Sequence, residues 1–303
     1  MNIAQRAKLM LYVIYAIIAL VLIGLPTTAF VLYKQLSYPA EALQIGSYVY
    51  PELKESCDIN NKTGAAGITN NLKTRKGFLY HIRTSDNYDA RVAHPLMVVF
   101  APGVSGTLME KFTGLTRQAT ESGVVLAYVD GQRLNLDAIE EFGRIPGEIM
   151  EKWCIDEQRV FLTGHSDGGT ISSALAFLKE STFRPTAIAP SAAGITEKEL
   201  KEYACPEPLS VMVMHNEGDT HFPGFGKQTA RWWASCNQCS ETPRPSKTST
   251  CVQYPDCSNG VETYYCEGQG GSHITWPHLN APMLDFFLRS PAKELKSIKQ
   301  AAD

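Results

Sequence analysis

The segment around Ser166 constrains the fold more than any other part of the chain. A short apolar run at 160–163 leads into Gly164-His165-Ser166-Asp167-Gly168-Gly169, and a helical pattern follows it. A serine exposed at so sharp a turn needs neighbours without side chains, and Gly164 and Gly168 satisfy that need. The following helix would direct its positive end and its free N–H groups at the Ser166 hydroxyl. The pattern therefore predicts a strand, a strained turn and a helix that together hold a reactive serine.

Apolar runs alternate with helical patterns along most of the chain. Predicted strands occupy 78–82, 96–100, 124–129, 160–163, 186–189, 209–214 and 261–265. Predicted helices occupy 109–122, 136–153, 169–179, 226–235 and 279–288, with a break or kink expected at Pro146. Buried strands separated by helices are typical of an α/β fold, a mostly parallel sheet flanked by helices. The glycine spacing is not G-x-G-x-x-G, which argues against a dinucleotide-binding turn.

A reactive serine needs a base, and the base needs an acid that orients it. Asp219 directly follows the predicted strand 209–214, and His273 follows the last predicted strand. Both positions are strand ends, where α/β sheets place their functional groups. Ser166, Asp219 and His273 are therefore the predicted catalytic residues. Three alternatives are weaker but stay open: Glu217 as the acid, and His221 or His278 as the base.

The oxyanion of a tetrahedral intermediate requires hydrogen-bond donors. The backbone N–H of Asp167, directly after Ser166, is the first candidate donor. The second is expected in the loop after strand 96–100, where Val104 is the first choice and Gly103 the next. Pro102 in the same loop has no N–H and cannot donate. Neither a metal ion nor an organic cofactor is expected for this chemistry.

No charged residue occurs at 9–33, a stretch longer than the about 20 apolar residues that cross a bilayer as a helix. We expect 1–33 to be an uncleaved signal anchor with a cytoplasmic N-terminus, since Arg6 and Lys8 precede the apolar run. The alternative is a signal peptide that is cleaved near Ala29. In both cases the remaining chain is exported, either anchored to the membrane or released as a secreted or periplasmic protein.

The exported part is expected to hold one domain at 77–303, after a polar lead-in at 34–76 that contains at most one short strand. All eight cysteines lie in the exported part, where disulfides can form. The stretch 236–257 contains four of them, and at least one bridge is expected there. The pairing Cys236–Cys257 is a guess. A zinc site is the weaker alternative, because five residues separate Cys251 from Cys257.

The chain resembles the polyhydroxybutyrate depolymerase-like and feruloyl-esterase-like branch of the α/β-hydrolases over residues 77–289. The resemblance rests on the Ser166 turn, Tyr128-Val129-Asp130-Gly131, Asp156-Glu157-Gln158-Arg159-Val160, Met214-His215 through Asp219, and Gly270-Gly271-Ser272-His273 followed by Trp276-Pro277. It implies an α/β-hydrolase fold with Ser166 as nucleophile, Asp219 as acid and His273 as base.

Three departures from the family pattern accompany this resemblance. Pro102 stands where the family usually has His, and Asn216 stands where it usually has Gly. Two residues, Ile274 and Thr275, separate His273 from Trp276, where the family usually has one. These departures concern the oxyanion loop and the pocket, so the family's substrates do not transfer directly.

The resemblance and the predicted triad imply an exported serine esterase that cleaves carboxylic esters through an acyl-enzyme. Its substrate would be a small or polymeric ester, of polyhydroxyalkanoate type or an aryl or acyl ester. The alternatives are a serine peptidase or thioesterase on the same fold, or a non-catalytic binding protein that retains it. A net charge of −3 without basic blocks argues against a nucleic-acid partner. Four aromatic residues near the acid and base either line the pocket or belong to the core: Phe222, Trp232, Trp233 and Trp276.

Overall fold

The computed structural model describes residues 44–50, 57–58, 61–248 and 250–292. The predicted N-terminal segment at 1–33 and part of the lead-in lie outside these ranges. Within them, no helix combines the length and the apolar character that crossing a membrane requires.

One sheet of ten strands forms the centre of the part of the chain that the structure describes. The strands are β1 (Ile68–Lys73), β2 (Leu79–Arg83), β3 (His94–Phe100), β4 (Val125–Val129), β5 (Ile155–His165), β6 (Ala187–Ser191), β7 (Ser210–Asn216), β8 (Arg244–Pro245), β9 (Cys251–Tyr254) and β10 (Thr263–Gly268). Their order across the sheet is β1-β2-β4-β3-β5-β6-β7-β10-β9-β8. The six central strands run parallel, and the strands at both edges pair antiparallel. The prediction of a mostly parallel sheet is confirmed.

The register brings several strand ends to one edge of the sheet. Phe100 of β3 lies beside Gly164 of β5, and His165 lies beside Ser191 of β6. Further along the same edge, Gly268 of β10 lies beside Asn216 of β7. The loops that carry the predicted functional residues therefore leave the sheet on the same side.

The helices are α1 (Gly106–Thr113), α2 (Thr116–Glu121), α3 (Leu136–Lys152), α4 (Asp167–Phe177), α5 (Glu197–Leu200), α6 (Phe225–Cys236) and α7 (Asn280–Arg289). The single helix predicted at 109–122 is wrong, because Gly114 adopts a left-handed conformation with φ 62° and ends α1. The break predicted at Pro146 does not occur, and α3 continues through that residue. Its buried residues Phe142, Ile145 and Ile149 belong to the core, so packing offsets the hydrogen bond that the proline cannot make.

Both faces of the sheet are covered, as the uninterrupted apolar strands predict. In β3, Leu96, Val98 and Phe100 enter one core, which the buried sides of α3, α4 and α6 complete. Met97 and Val99 enter the other core, which includes residues of α1, α2 and α7. This alternation follows from the two-residue period of a strand.

Part of the predicted lead-in belongs to the sheet. Residues 68–73 form β1, which pairs antiparallel with β2. The Cys57–Cys154 disulfide ties the chain before β1 to the residue that directly precedes β5. The short strand expected in the lead-in is thus an edge strand of the domain.

All eight cysteines are paired, in Cys57–Cys154, Cys205–Cys236, Cys239–Cys257 and Cys251–Cys266. The guessed pairing of Cys236 with Cys257 is wrong, whereas the bridge expected within 236–257 exists as Cys239–Cys257. The chain folds back after α6, where the N–H of Ser240 donates to the carbonyl of Pro255, and this brings Cys239 to Cys257. The zinc alternative requires thiolates, and these sulfurs are in disulfides.

Candidate active site

Ser166 occupies the tight turn between β5 and α4. Its backbone has φ 55° and ψ −118°, which is rare for a residue with a side chain. The Ser166 N–H donates to the carbonyl of Ser191 at 2.9 Å, and its carbonyl accepts from the N–H of Thr170 at 2.9 Å. Two backbone hydrogen bonds therefore hold the strained residue directly before the start of α4.

Glycines make this turn possible because other backbone atoms occupy the space of a side chain. A Cβ on Gly164 would lie 2.6 Å from backbone atoms of Gly168 and from the carbonyl oxygen of Phe100. A Cβ on Gly168 would overlap that same oxygen, and one on Gly169 would overlap the carbonyl oxygen of Ser191. The close packing predicted from the glycine spacing is confirmed, and it extends to Gly169.

The three predicted catalytic side chains form one hydrogen-bonded chain, with His273 in the middle. The Ser166 Oγ is 2.9 Å from Nε2 of His273. The Nδ1 of His273 is 2.8 Å from Oδ2 of Asp219. The Asp219 side chain is fully buried, and that of His273 is 17% exposed. The arrangement allows a proton to pass from the hydroxyl to an imidazole whose other nitrogen faces a carboxylate.

The carboxylate of Asp219 is fixed by the loop in which it lies. Its Oδ1 accepts hydrogen bonds from the N–H groups of His221 and Phe222, both at 2.9 Å. Burial by itself would raise the pKa of Asp219, but the bonds from Phe222 and His273 outweigh it and lower that pKa. The carboxyl group that is hydrogen-bonded to His273 is therefore negatively charged.

The alternative acid and bases occupy other places. Glu217 is exposed and lines a separate pocket together with Lys227 and Glu267. The ring of His221 packs against the ring of His273, with 4.7 Å between centroids. His278 is exposed and adopts a left-handed conformation with φ 54°. The hydrogen-bonded chain from Ser166 runs through His273 and Asp219.

Two further histidines adjoin these residues, and sequence reasoning gave neither a role. The Nε2 of His165 lies 2.6 Å from the carbonyl oxygen of His273, and its Nδ1 lies 3.0 Å from the Ser191 hydroxyl. A carbonyl only accepts, so Nε2 carries the proton. Burial lowers the pKa of His165 to about 4. His215 lies 3.5 Å from Oδ2 of Asp219, and burial lowers its pKa as well. The sequence feature that could have pointed to His165 is its position directly before Ser166.

The loop proposed for the second oxyanion donor is tied to the end of β4. The Val104 carbonyl accepts from the N–H of Gly131 at 2.7 Å. Asp130 Oδ1 accepts from the N–H of Gly106 at 2.6 Å and contacts Nε2 of His81 at 3.1 Å. These contacts hold the loop where β3 ends, beside β5 and its turn. The donor roles of Val104 and of Asp167, the first residue of α4, stay predictions.

Of the four aromatic residues predicted near the pocket, Phe222 adjoins the site. Its ring meets the His273 ring edge-on at 4.8 Å and stacks on Phe225 at 5.2 Å. Trp232 and Trp233 belong to one core and Trp276 to the other, so of the two alternatives left open for them the core is the one that the structure shows. They fill the large volume between helices and sheet.

A pocket of about 420 Å³ lies next to Phe225, the residue on which Phe222 stacks. It is lined by Gly194, Thr196, Lys198, Glu199, Glu202 and Phe225.

Comparisons with known proteins match the chain to feruloyl esterases in sequence and to an esterase in fold. No protein-family model matches the chain. The chain is 24% identical over 215 residues to feruloyl esterase B of Piromyces equi, and the aligned part makes up 60% of this chain and 40% of that protein. It is 26% identical over 209 residues to probable feruloyl esterase C of Aspergillus oryzae, covering 62% and 74%. The chain thus matches less than half the length of the first relative. The fold is similar to acetyl xylan esterase from Aspergillus awamori, with a TM-score of 0.56 at 12% identity, covering 73% and 99%.

Proposed function

We propose that this feruloyl-esterase-like α/β-hydrolase, a carboxylic ester hydrolase, works as an exported serine esterase with Ser166, His273 and Asp219 as its catalytic triad. The observation that carries the proposal is the hydrogen-bonded chain from Ser166 Oγ through His273 to Asp219, with distances of 2.9 and 2.8 Å. The feruloyl-esterase relatives support the ester-hydrolase part. The resemblance to polyhydroxybutyrate depolymerases stays a prediction.

In the first half of the proposed reaction the Ser166 oxygen attacks the ester carbonyl, and Nε2 of His273 takes the hydroxyl proton. His273 then gives that proton to the departing alcohol, which leaves an acyl group on Ser166. In the second half a water molecule attacks the acyl-enzyme, with His273 again as the base. Asp219 keeps the imidazole in the required tautomer and stabilises its charged form. The N–H groups of Asp167 and Val104 would meet the oxyanion.

The proposed substrate is an aryl or acyl ester, small or polymeric. The names of the relatives suggest feruloyl esters, and the Phe222 ring beside His273 offers an apolar surface for an aromatic acyl group. Esters of hydroxyalkanoates are the alternative substrate class.

Export is proposed from the four disulfides, which persist in oxidising compartments. Whether 1–33 anchors the chain in the membrane is a separate proposal. N-terminal sequencing of the mature protein tests it, since a start near residue 30 would show a cleaved signal peptide.

The test of the chemistry uses the purified full chain with a fluorophosphonate probe and a substrate panel. The panel contains methyl ferulate, p-nitrophenyl acetate, a thioester and a peptide anilide. We expect labelling on Ser166 and faster cleavage of the esters than of the peptide bond. Ser166→Ala should lose both signals, whereas Ser173→Ala, which removes a buried hydroxyl within α4, should retain them. Labelling of another serine would refute the triad, faster anilide cleavage would favour a peptidase, and an inert chain would favour a binding protein.

A further inference from the structure

The loop that carries His273, residues 272–275, surrounds the side chain of Asn216. Asn216 lies at the end of β7 and is buried. Its Nδ2 is 2.8 Å from the Ser272 carbonyl oxygen, 2.7 Å from the Thr275 carbonyl oxygen and 2.9 Å from the Thr275 hydroxyl. Two of these groups are carbonyls that only accept, so the amide nitrogen faces the loop and donates to it.

The surroundings of Asn216 leave room for this side chain and little else. A Cβ on Gly268 would overlap the Asn216 Oδ1, and a Cβ on Gly271 would lie 2.7 Å from its Cγ. The Thr275 hydroxyl also accepts from the Ser272 N–H at 2.8 Å, which closes the loop on itself. The amide therefore fills the centre of a closed turn in which His273 is the second residue.

A second buried side chain holds the same loop from a different strand. His165, at the end of β5, donates through Nε2 to the His273 carbonyl at 2.6 Å. The loop is thus attached to β5, which leads into Ser166, and to β7, which leads into Asp219. These attachments end at loop carbonyls and at the Thr275 hydroxyl, and they leave the His273 ring free to meet Ser166.

Two departures from the family pattern meet at this point. Asn216 occupies the position where the family usually has Gly, and Thr275 belongs to the segment that is one residue longer than usual. Their side chains contact each other at 2.9 Å. We propose that Asn216 is a positioning residue that sets the distance between His273 and Ser166 by holding loop 272–275, with His165 as its second support. The inference rests on the proposed function.

Holding this loop matters because proton transfer depends on short distances. The Nε2 of His273 is 2.9 Å from Ser166 Oγ, and a displacement of about 1 Å can cost about 100-fold in rate. Without Asn216 the loop would lose the two N–H donors that its amide directs at the carbonyl oxygens of Ser272 and Thr275 and at the Thr275 hydroxyl. The His273 ring would then sample positions from which it no longer reaches the serine.

The test compares Asn216→Ala with Asn237→Ala in the full chain. Asn237 is a matched control because it is also buried, and its amide bonds the Leu209 backbone and the Thr263 hydroxyl. These partners lie where β7 and β10 begin, at the opposite ends of the two strands from Asn216 and Gly268. Both variants should lose thermal stability. Only Asn216→Ala should lower kcat for ester hydrolysis, by up to about 100-fold with little change in KM. Thr275→Val, which removes one acceptor, should give a smaller loss in the same direction.

A second measurement keeps the inference separate from the proposed function. The Nδ1–H proton of His273, bonded to Asp219, should give a far-downfield NMR signal that His273→Gln lacks. We expect Asn216→Ala to weaken or shift this signal and Asn237→Ala to retain it. An unchanged signal, or a kcat loss no greater than that of Asn237→Ala, would overturn the positioning role. A wild-type chain that cleaves no ester would refute the proposed function, while the NMR comparison would still decide the role of Asn216.

Discussion

The turn that carries Ser166 and the loop that carries His273 are held in opposite ways. The serine turn is held by backbone hydrogen bonds and by the absence of side chains at Gly164 and Gly168. The histidine loop is held by buried side chains from other strands. The partners of Asn216 in the loop are 56 and 59 residues away along the chain, and the partner of His165 is 108 residues away. The nucleophile is thus positioned by close backbone packing against β3 and β6, and the base by hydrogen bonds from individual side chains of β5 and β7.

This difference affects how each part can fail. A clash in the serine turn is met by backbone atoms of β3 and β6, which cannot rotate away as a side chain can. The histidine loop is partly exposed and can yield locally, because its ties are individual hydrogen bonds of about 1 kcal/mol each. We therefore expect turn mutations to damage the fold and loop mutations to damage catalysis first.

The largest expected effect is the loss of kcat when the turn loses Ser166 or the loop loses His273. Ser166→Ala and His273→Ala should each lower kcat by about 10⁶-fold, and the double variant should be little worse, because the triad acts as a unit. Ester hydrolysis by the three variants, measured on folded protein with unchanged circular dichroism, tests this. Losses that multiply in the double variant would show that the turn and the loop act independently.

The next effect concerns the acid that orients the loop histidine. Asp219→Asn should lower kcat by about 10⁴-fold while retaining the fold, because an amide favours the wrong imidazole tautomer. Its remaining carbonyl oxygen can still accept from the N–H groups of His221 and Phe222. Glu217→Gln is the matched control and should leave kcat unchanged. Activity of Asp219→Asn near the wild-type rate would remove Asp219 from the triad.

A pair of glycine substitutions compares the two regions directly. Gly168→Ala places a methyl group on the Phe100 carbonyl oxygen, and such overpacking should cost about 1–3 kcal/mol of unfolding free energy or more. Gly270→Ala adds a methyl group in open space at a residue with φ 65°, which should cost about 1–2 kcal/mol through backbone strain alone. Denaturant unfolding and ester kinetics measure both variants. A loss of unfolding free energy in Gly270→Ala as large as that in Gly168→Ala would contradict the contrast between turn and loop.

The last effect concerns no catalytic step and is the pH dependence of stability that His165 confers. Its pKa is lowered from 6.5 to about 4 by burial, so between these values the unfolded chain binds more protons than the folded chain. The free energy of unfolding should therefore fall as the pH drops from about 6.5 to about 4, and this contribution should level off below. His94 and His215, whose pKa values are also lowered, act in the same direction. His165→Gln should show a shallower slope in urea unfolding, and an unchanged slope would contradict the assignment.

The strand pattern and the glycine spacing were enough to predict the parallel sheet and the turn at Ser166. Both follow from side-chain periodicity and from glycines at the positions where a Cβ would clash, and the order of residues specifies both. The order of serine, acid and histidine was also sufficient to select three side chains that the fold brings together. Their catalytic roles stay predictions until the kinetics are measured.

Other features depended on contacts between distant residues. The break at Gly114 and the continuity of α3 through Pro146 were settled by backbone conformation and core packing. The cysteine pairs depended on where the chain folds back after α6, which spacing alone does not specify. The sequence left open whether Trp232 and Trp233 line the pocket or belong to the core, and α6 directs them into the core.

The sequence by itself determined the sheet, the strained serine turn and the residues available for catalysis, because these follow from side-chain periodicity and from the space that glycines leave. Only the tertiary structure decided the disulfide pairs, the wall of the site and the support of His273 by His165 and Asn216. The contacts that support His273 come from the carboxyl ends of β5 and β7, which are far from it in the chain, and they form only once the sheet has brought these strand ends to the same side.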